Sequence, residues 1–139
     1  MRTIKFRGQC SKSNNLVYGD LIHGVGHKRG NMYILPDAIN LASIKHCDPL
    51  DGVKINPETI GLFTGLHDKN TREIYEGDIL MWTSSNPFSL GEVRKVQVIY
   101  VPARFWCQGT IGVYLGELLV NEKCEIIGNI YENHELLTN

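Results

Sequence analysis

No apolar run in this 139-residue chain approaches the ~18 residues that a membrane-spanning helix requires. Neither sign of charge dominates: 14 Lys and Arg stand against 15 Asp and Glu, a formal net charge of −1. There is thus no global cationic field to gather nucleic acid or anionic lipid, and any such binding has to use a local patch. The four cysteines, Cys10, Cys47, Cys107 and Cys124, lie far apart and include no C-x-x-C. That excludes a zinc ribbon and a thioredoxin-type redox pair, leaving reduced thiols in small niches. Also missing are G-x-S-x-G, G-x-x-x-x-G-K-[ST] and H-E-x-x-H, the signatures of a nucleophile elbow, a phosphate loop and a zinc protease. The opening Met1-Arg2-Thr3-Ile4-Lys5-Phe6-Arg7 carries charge but no apolar segment and no small-residue cleavage site behind it, which predicts a cytoplasmic protein.

What is present is an ordinary globular composition, 42% hydrophobic and 21% charged, enough to bury one core over residues 1–139. Residues 2–7 alternate, placing Ile4, Phe6 and Gly8 on one face of a strand. The polar cluster 11–15 turns the chain back into Leu16-Val17-Tyr18, a hairpin. Gly24, Gly26 and Gly30 bracket a loop, and Pro36 ends the apolar run 32–35. Residues 37–52 read as short strands or a helical turn. Asn56-Pro57-Glu58 predicts a single helical turn feeding a strand over 60–66, and the polar stretch 67–73 joins two antiparallel strands. Further strands are predicted at 79–82, 93–101, 104–107, 111–115 and 124–131, with short helices only at 116–120 and 132–137. The expected fold is mostly β: an N-terminal β-hairpin region (1–52) packed on a C-terminal small β-barrel (57–137), with Asp51-Gly52 as the seam. Edge strands would allow homo-oligomerisation by strand pairing.

Residues that bear chemistry are sparse. Tyr18-Gly19-Asp20 and Tyr75-Glu76-Gly77-Asp78 each put Gly-Asp before an apolar stretch, a turn into a buried strand. His23 and His27 are the candidate metal ligands, four residues apart; Gly24 and Gly26 between them disfavour the helix that would align them, so no metal is expected. Gly24-x-Gly26-x-x-x-Gly30 is one residue longer than a dinucleotide fingerprint and leads into a strand, not a helix. His46-Cys47-Asp48 sets three reactive types side by side, but neighbours in extended chain point to opposite faces. An enzyme reading would have to rest on His46, Asp48 or His67. Arg2, Lys5 and Arg7 around Phe6, and Arg94, Lys95 and Arg104 near Phe105 and Trp106, are the candidate contacts for nucleic acid or another partner. Against that stands a solvated cationic face over core aromatics.

Three blocks, in order and spacing, resemble the YopX family of phage and prophage proteins: Met1-Arg2-x-Ile4-Lys5-Phe6-Arg7, then Ile60-Gly61-Leu62-Phe63-Thr64-Gly65-Leu66-His67-Asp68-Lys69-Asn70 running into Glu73-Ile74-Tyr75-Glu76-Gly77-Asp78-Ile79, and Glu125-Ile126-Ile127-Gly128-Asn129-Ile130-Tyr131-Glu132-Asn133 with the residues that follow. The chain departs from the usual family pattern at Gly8, Thr71 and His134, where Ala, Gly and Pro are common. The resemblance implies a mostly β protein and carries over no catalytic residue. Gly65, Tyr75, Gly77, Asp78, Gly128, Asn129 and Tyr131 read as turn and core positions of a scaffold. The reading that follows is a non-catalytic phage or prophage accessory module, without a cofactor, that binds a host or phage macromolecule in the bacterial cytoplasm. A single-stranded nucleic-acid-binding barrel is the alternative, and an enzyme with an unrecognised site stands behind both.

Overall fold

The computed structural model describes residues 3–36, 47–48, 52–83, 88, 91–102, 104–108, 113–114 and 124–137. Arg2, His46, Asp51, most of 37–52 and the helix expected at 116–120 lie outside them. The chain divides into two compact units, Met1–Phe63 and Thr64–Asn139. None of the described helices is long and apolar enough to cross a membrane.

In the first unit the strands are β1 (Phe6–Gln9), β2 (Leu16–His23), β3 (Met32–Pro36), β4 (Cys47–Asp48) and β5 (Gly52–Ile55); β6 (Gly61–His67) runs across the boundary. With β7 (Glu73–Tyr75) they form a seven-stranded sheet in the order β4-β5-β3-β2-β1-β6-β7. The predicted hairpin is there, with Gly8 opposite Val17 and Gln9 opposite Leu16. Its turn is held by the Cys10 N–H on the Asn15 carbonyl (2.9 Å), and Asn14 takes the left-handed φ of 61° that Asn tolerates. Cys10, Val17, Ile34, Val53 and Ile55 form the buried cluster, flanked by Phe6, Leu21, Met32 and Ile60.

The strand begins later than the alternation suggests. The strand pairs from Phe6, with Gly19 and with Leu62, and the ladder reaches back only to the Lys5 carbonyl, so Ile4 has no sheet to lie on and is 64% exposed. The single turn predicted after Asn56 is a 3₁₀ turn, Pro57–Thr59, opening on Pro57 as the fixed φ of proline favours. The Thr59 hydroxyl donates to the Asn56 carbonyl (2.6 Å) and accepts the Gln9 N–H (2.9 Å), which ties the turn to β1.

The second unit holds β8 (Asp78–Thr83), β9 (Val93–Val101), β10 (Arg104–Gln108), β11 (Val113–Tyr114) and β12 (Cys124–Asn129), ordered β11-β10-β9-β8-β12. Alternation sets the faces as predicted: Val96 and Val98 are buried, while Lys95, Gln97 and Ile99 point the other way. The cluster beneath is Ile74, Leu80, Val96, Val98, Cys107 and Cys124, with Leu66, Trp82, Phe105 and Ile126 against it. Each fully buried aliphatic contributes about 1.5–3 kcal/mol. The mostly β expectation holds, but the sheets are not closed into a barrel: among the described strands, β11 and β12 are the two edges of an open sheet. Of the short helix expected at 132–137, the described part is one 3₁₀ turn, His134–Leu137.

The two core thiols of this sheet are chemically quiet. Burial, and after it the neighbouring Cys124, pushes the Cys107 thiol up to about 12; burial, and after it the Asp68 charge, pushes Cys124 up to about 11. Only the thiolate is nucleophilic. Iodoacetamide at neutral pH should therefore leave both unmodified in the folded protein and label both in urea, read by peptide mass spectrometry. Labelling of either at the rate of a free thiol under native conditions would contradict the packing.

Candidate functional site

The two long blocks of the sequence meet in the second unit. The loop 68–72 lies along the outer edge of β12 and is organised by one carboxylate. Asp68, whose side chain has no exposed surface, accepts the N–H groups of Asn70 (2.9 Å) and Arg72 (3.0 Å) on Oδ1. On Oδ2 it accepts the Ile126 N–H (3.0 Å) and the Arg72 guanidinium (3.3 Å). The Arg72 Nη2 also donates to the Ile126 carbonyl, and the Lys69 N–H to the Cys124 carbonyl (3.0 Å). Residues 124 and 126 share the side of β12 turned away from β8, because backbone groups alternate along a strand. A carboxylate and a guanidinium thus stand in for the acceptor and donor of a missing neighbour strand. Lys69 Nζ (2.9 Å) and Asn70 Nδ2 (3.4 Å) hold Glu125 beside them. Burial raises the Asp68 pKa, but the N–H groups of Ile126, Arg72 and Asn70 and the Arg72 charge outweigh it and hold the carboxyl below its ordinary value.

A second group of turns closes the other end of the same strand pair. Gly77 takes a φ of 92°, open to glycine, and the Asp78 carboxylate accepts the Tyr75 N–H at 2.8 Å. The Gly77 amide reaches both neighbours of β8: its N–H donates to Val98 and its carbonyl accepts from Ile130, each 2.9 Å. Past the bulge between Ile126 and Gly128, Asn129 Oδ1 accepts the N–H groups of Tyr131 and Glu132 (3.0 Å each). Asn133 caps the Asn129 N–H (3.3 Å) and donates its own N–H to the Asn129 carbonyl (2.9 Å). A Cβ on Gly128 would stand 2.5 Å from Asn133 Oδ1, so that cap requires glycine. At Gly65, φ 85°, Thr64 bridges the irregularity, its hydroxyl donating to the Ile74 carbonyl (2.8 Å) and accepting the Leu66 N–H (3.2 Å).

The Gly-Asp echo dissolves. Gly19-Asp20 lies inside β2 with Asp20 exposed, where the missing Cβ lets the Leu35 carbonyl approach; Gly77-Asp78 is a true turn into a strand. His23 ends β2, and His27 sits in the 3₁₀ turn Gly26–Lys28; no group of three or more His, Cys, Asp or Glu among the described residues is placed to hold a metal. The 24–31 loop spends the amides of Gly24, Lys28, Arg29 and Asn31 on its own carbonyls, as a hairpin loop does. Cys47 and Asp48 form the short strand β4, and His67 ends β6, exposed.

Among the described cationic candidates, the members of each unit do not share one exposed surface. Arg7 is 3% exposed, and the Lys5 carbonyl accepts the Phe63 N–H (2.8 Å). Arg94 lies on the core-side parity of β9, over the Trp82 ring (5.9 Å) and paired with Glu92 (3.0 Å). Lys95 and Arg104 are exposed on the opposite face, Arg104 over Trp106 at 5.4 Å. Phe105 turns inward and meets Tyr100 edge-on at 5.4 Å. The tie of Asp68 and Arg72 to β12 was invisible because its partner, Ile126, is remote in sequence; Asn133 bonds Asn129 four residues back, and the Asx-turn character of 68–70 and 129–133 was the available signal.

Two consequences are measurable. The depressed Asp68 pKa stabilises the fold fully above the unfolded value of about 4, and that contribution is lost as pH falls through the lower folded value. Asp68→Asn should cost about 1–3 kcal/mol at neutral pH, and its urea midpoint should fall less steeply than the wild type's below about pH 4; parallel acid profiles would refute the assignment. Thr71 holds a φ of 65°, a left-handed conformation that burdens a β-branched residue. Thr71→Gly should raise unfolding stability by ~0.5–1 kcal/mol, the strain relieved exceeding the entropy glycine adds to the unfolded chain.

Comparison with known proteins agrees with this architecture. The crystal structure of protein EF1440 from Enterococcus faecalis is similar in fold, with a TM-score of 0.60 at 22% identity over 99% of each chain. Among curated proteins, none matches. The model of the family described as YopX protein matches residues 5–138, both organised blocks included. Coverage of nearly the whole chain makes it a member of the YopX family.

Proposed function

We propose that this chain is a non-catalytic accessory module, encoded by a phage or prophage, that binds a host or phage macromolecule in the bacterial cytoplasm without a cofactor. The observation that carries the reading is the use made of the buried polar groups. A catalytic carboxylate has to reach a substrate atom with its lone pairs. Asp68 accepts three backbone N–H groups and a guanidinium, Asp78 accepts a turn amide, and Asn129 closes two more. These groups build rigid corners, and rigid corners present strands and faces to a partner. The test is affinity capture from bacterial lysate on the immobilised chain, with and without nuclease, followed by identification of what is retained. A reproducible macromolecule held at stoichiometric levels is expected. Turnover of a substrate that disappears on changing one polar residue would overturn the reading.

A further inference from the structure

We infer that the outer face of β9 and β10 is a contact surface for single-stranded nucleic acid. The inference rests on the binding-module reading and names its partner. Strand parity places Lys95, Gln97, Ile99 and Val101 of β9 on this face, and the register adds Trp106 opposite Ile99 and Arg104 opposite Val101. Lys95 and Arg104 are exposed and stand at opposite ends of the strand pair, about 20 Å apart at ~3.3 Å per residue. Between them lie the half-buried Trp106 and Gln97, the latter register partner of the exposed Gln108 on one side and of the buried Ile79, where the face is covered, on the other.

Cations for phosphates flanking an aromatic surface for bases are what sequence-tolerant single-strand binding uses, and the length suits a site of about four nucleotides. The Arg104 guanidinium at 5.4 Å from the Trp106 ring pre-orders a stacking surface. The acid among the described strand residues of this face, Glu125, is tied to Lys69 and Asn70, so its charge is locally offset. A site that offers cations to phosphates and a ring to base faces favours single strands, whose bases are free to stack on it. The net charge of −1 is no obstacle, because the cations that matter are local.

The test is fluorescence anisotropy with labelled dT15 at 20 mM and 200 mM salt, on the full chain. Binding should weaken with salt, and Lys95→Ala/Arg104→Ala should lose affinity and lower the log–log salt slope by about 1.4, twice the single-strand value of ~0.7 per phosphate. Trp106→Ala should bind roughly tenfold or more weakly, and Trp106→Phe should recover most of the loss. Should Trp106→Ala fail to fold, the two exposed cations and the phenylalanine variant still decide. Arg94→Ala, on the opposite face, should bind as the wild type does. No binding at 20 mM salt, or equal losses in Arg94→Ala and Lys95→Ala/Arg104→Ala, overturns the inference. Nuclease-resistant capture of a protein alongside that failure would remove this surface while leaving the binding-module reading intact.

Discussion

An exposed strand edge has to be satisfied by something, and in the five-stranded sheet that requirement falls on β12. Its outward groups at Cys124 and Ile126 are met by the 68–72 loop, and those at Asn129 by Asn133. The central element is the Asp68 carboxylate. Buried, charged and saturated by N–H donors, it fixes the loop and the strand at once, and removing any donor would leave charge unsupported where water does not reach. The capped edge also accounts for the open sheet. A strand whose outer donors and acceptors are already engaged offers nothing for β11 to pair with, so closure into a barrel has no ladder to form.

Much of the scaffold was legible because local chemistry and tertiary structure agree. β9 shows period-two alternation between clear breaks, and β3 ends at Pro36; neither needs distant information. Pro57 likewise announces a short turn. The misreadings share a cause. Alternation over 2–7 fits a strand, but a strand exists only where it has neighbours, and these begin at Phe6. Closure of a sheet depends on what its edges meet, and the residues that block it, Asp68 and Arg72, look in sequence like any polar loop. The 58 residues separating Asp68 from Ile126 carry no local trace of their bond.

The charged residues show the same division. That Arg94 and Lys95 fall on opposite faces follows from parity alone, and the buried Val96 and Val98 decide which face is the core. The near-complete burial of Arg7 does not follow: a cation between Phe6 and Gly8 reads as a solvent-facing position until neighbouring strands cover it. Basic–aromatic interleaving therefore overstates the extent of a cationic surface whenever adjacent residues belong to one strand, since half of them must point away.

The edge and the face make opposite demands on a partner. Strand addition along β12 would have to displace the 68–72 loop, stripping Asp68 of the Ile126 N–H while leaving its charge buried, a cost that a short backbone ladder does not offset. A partner that lies across exposed side chains leaves that edge intact. Under the proposed binding role, capping the β12 edge leaves recognition to the faces of the sheet, of which one packs on the core. The other carries Lys95 and Arg104 with Trp106 placed between them by the register, where the proposed single-strand contact would use its ring.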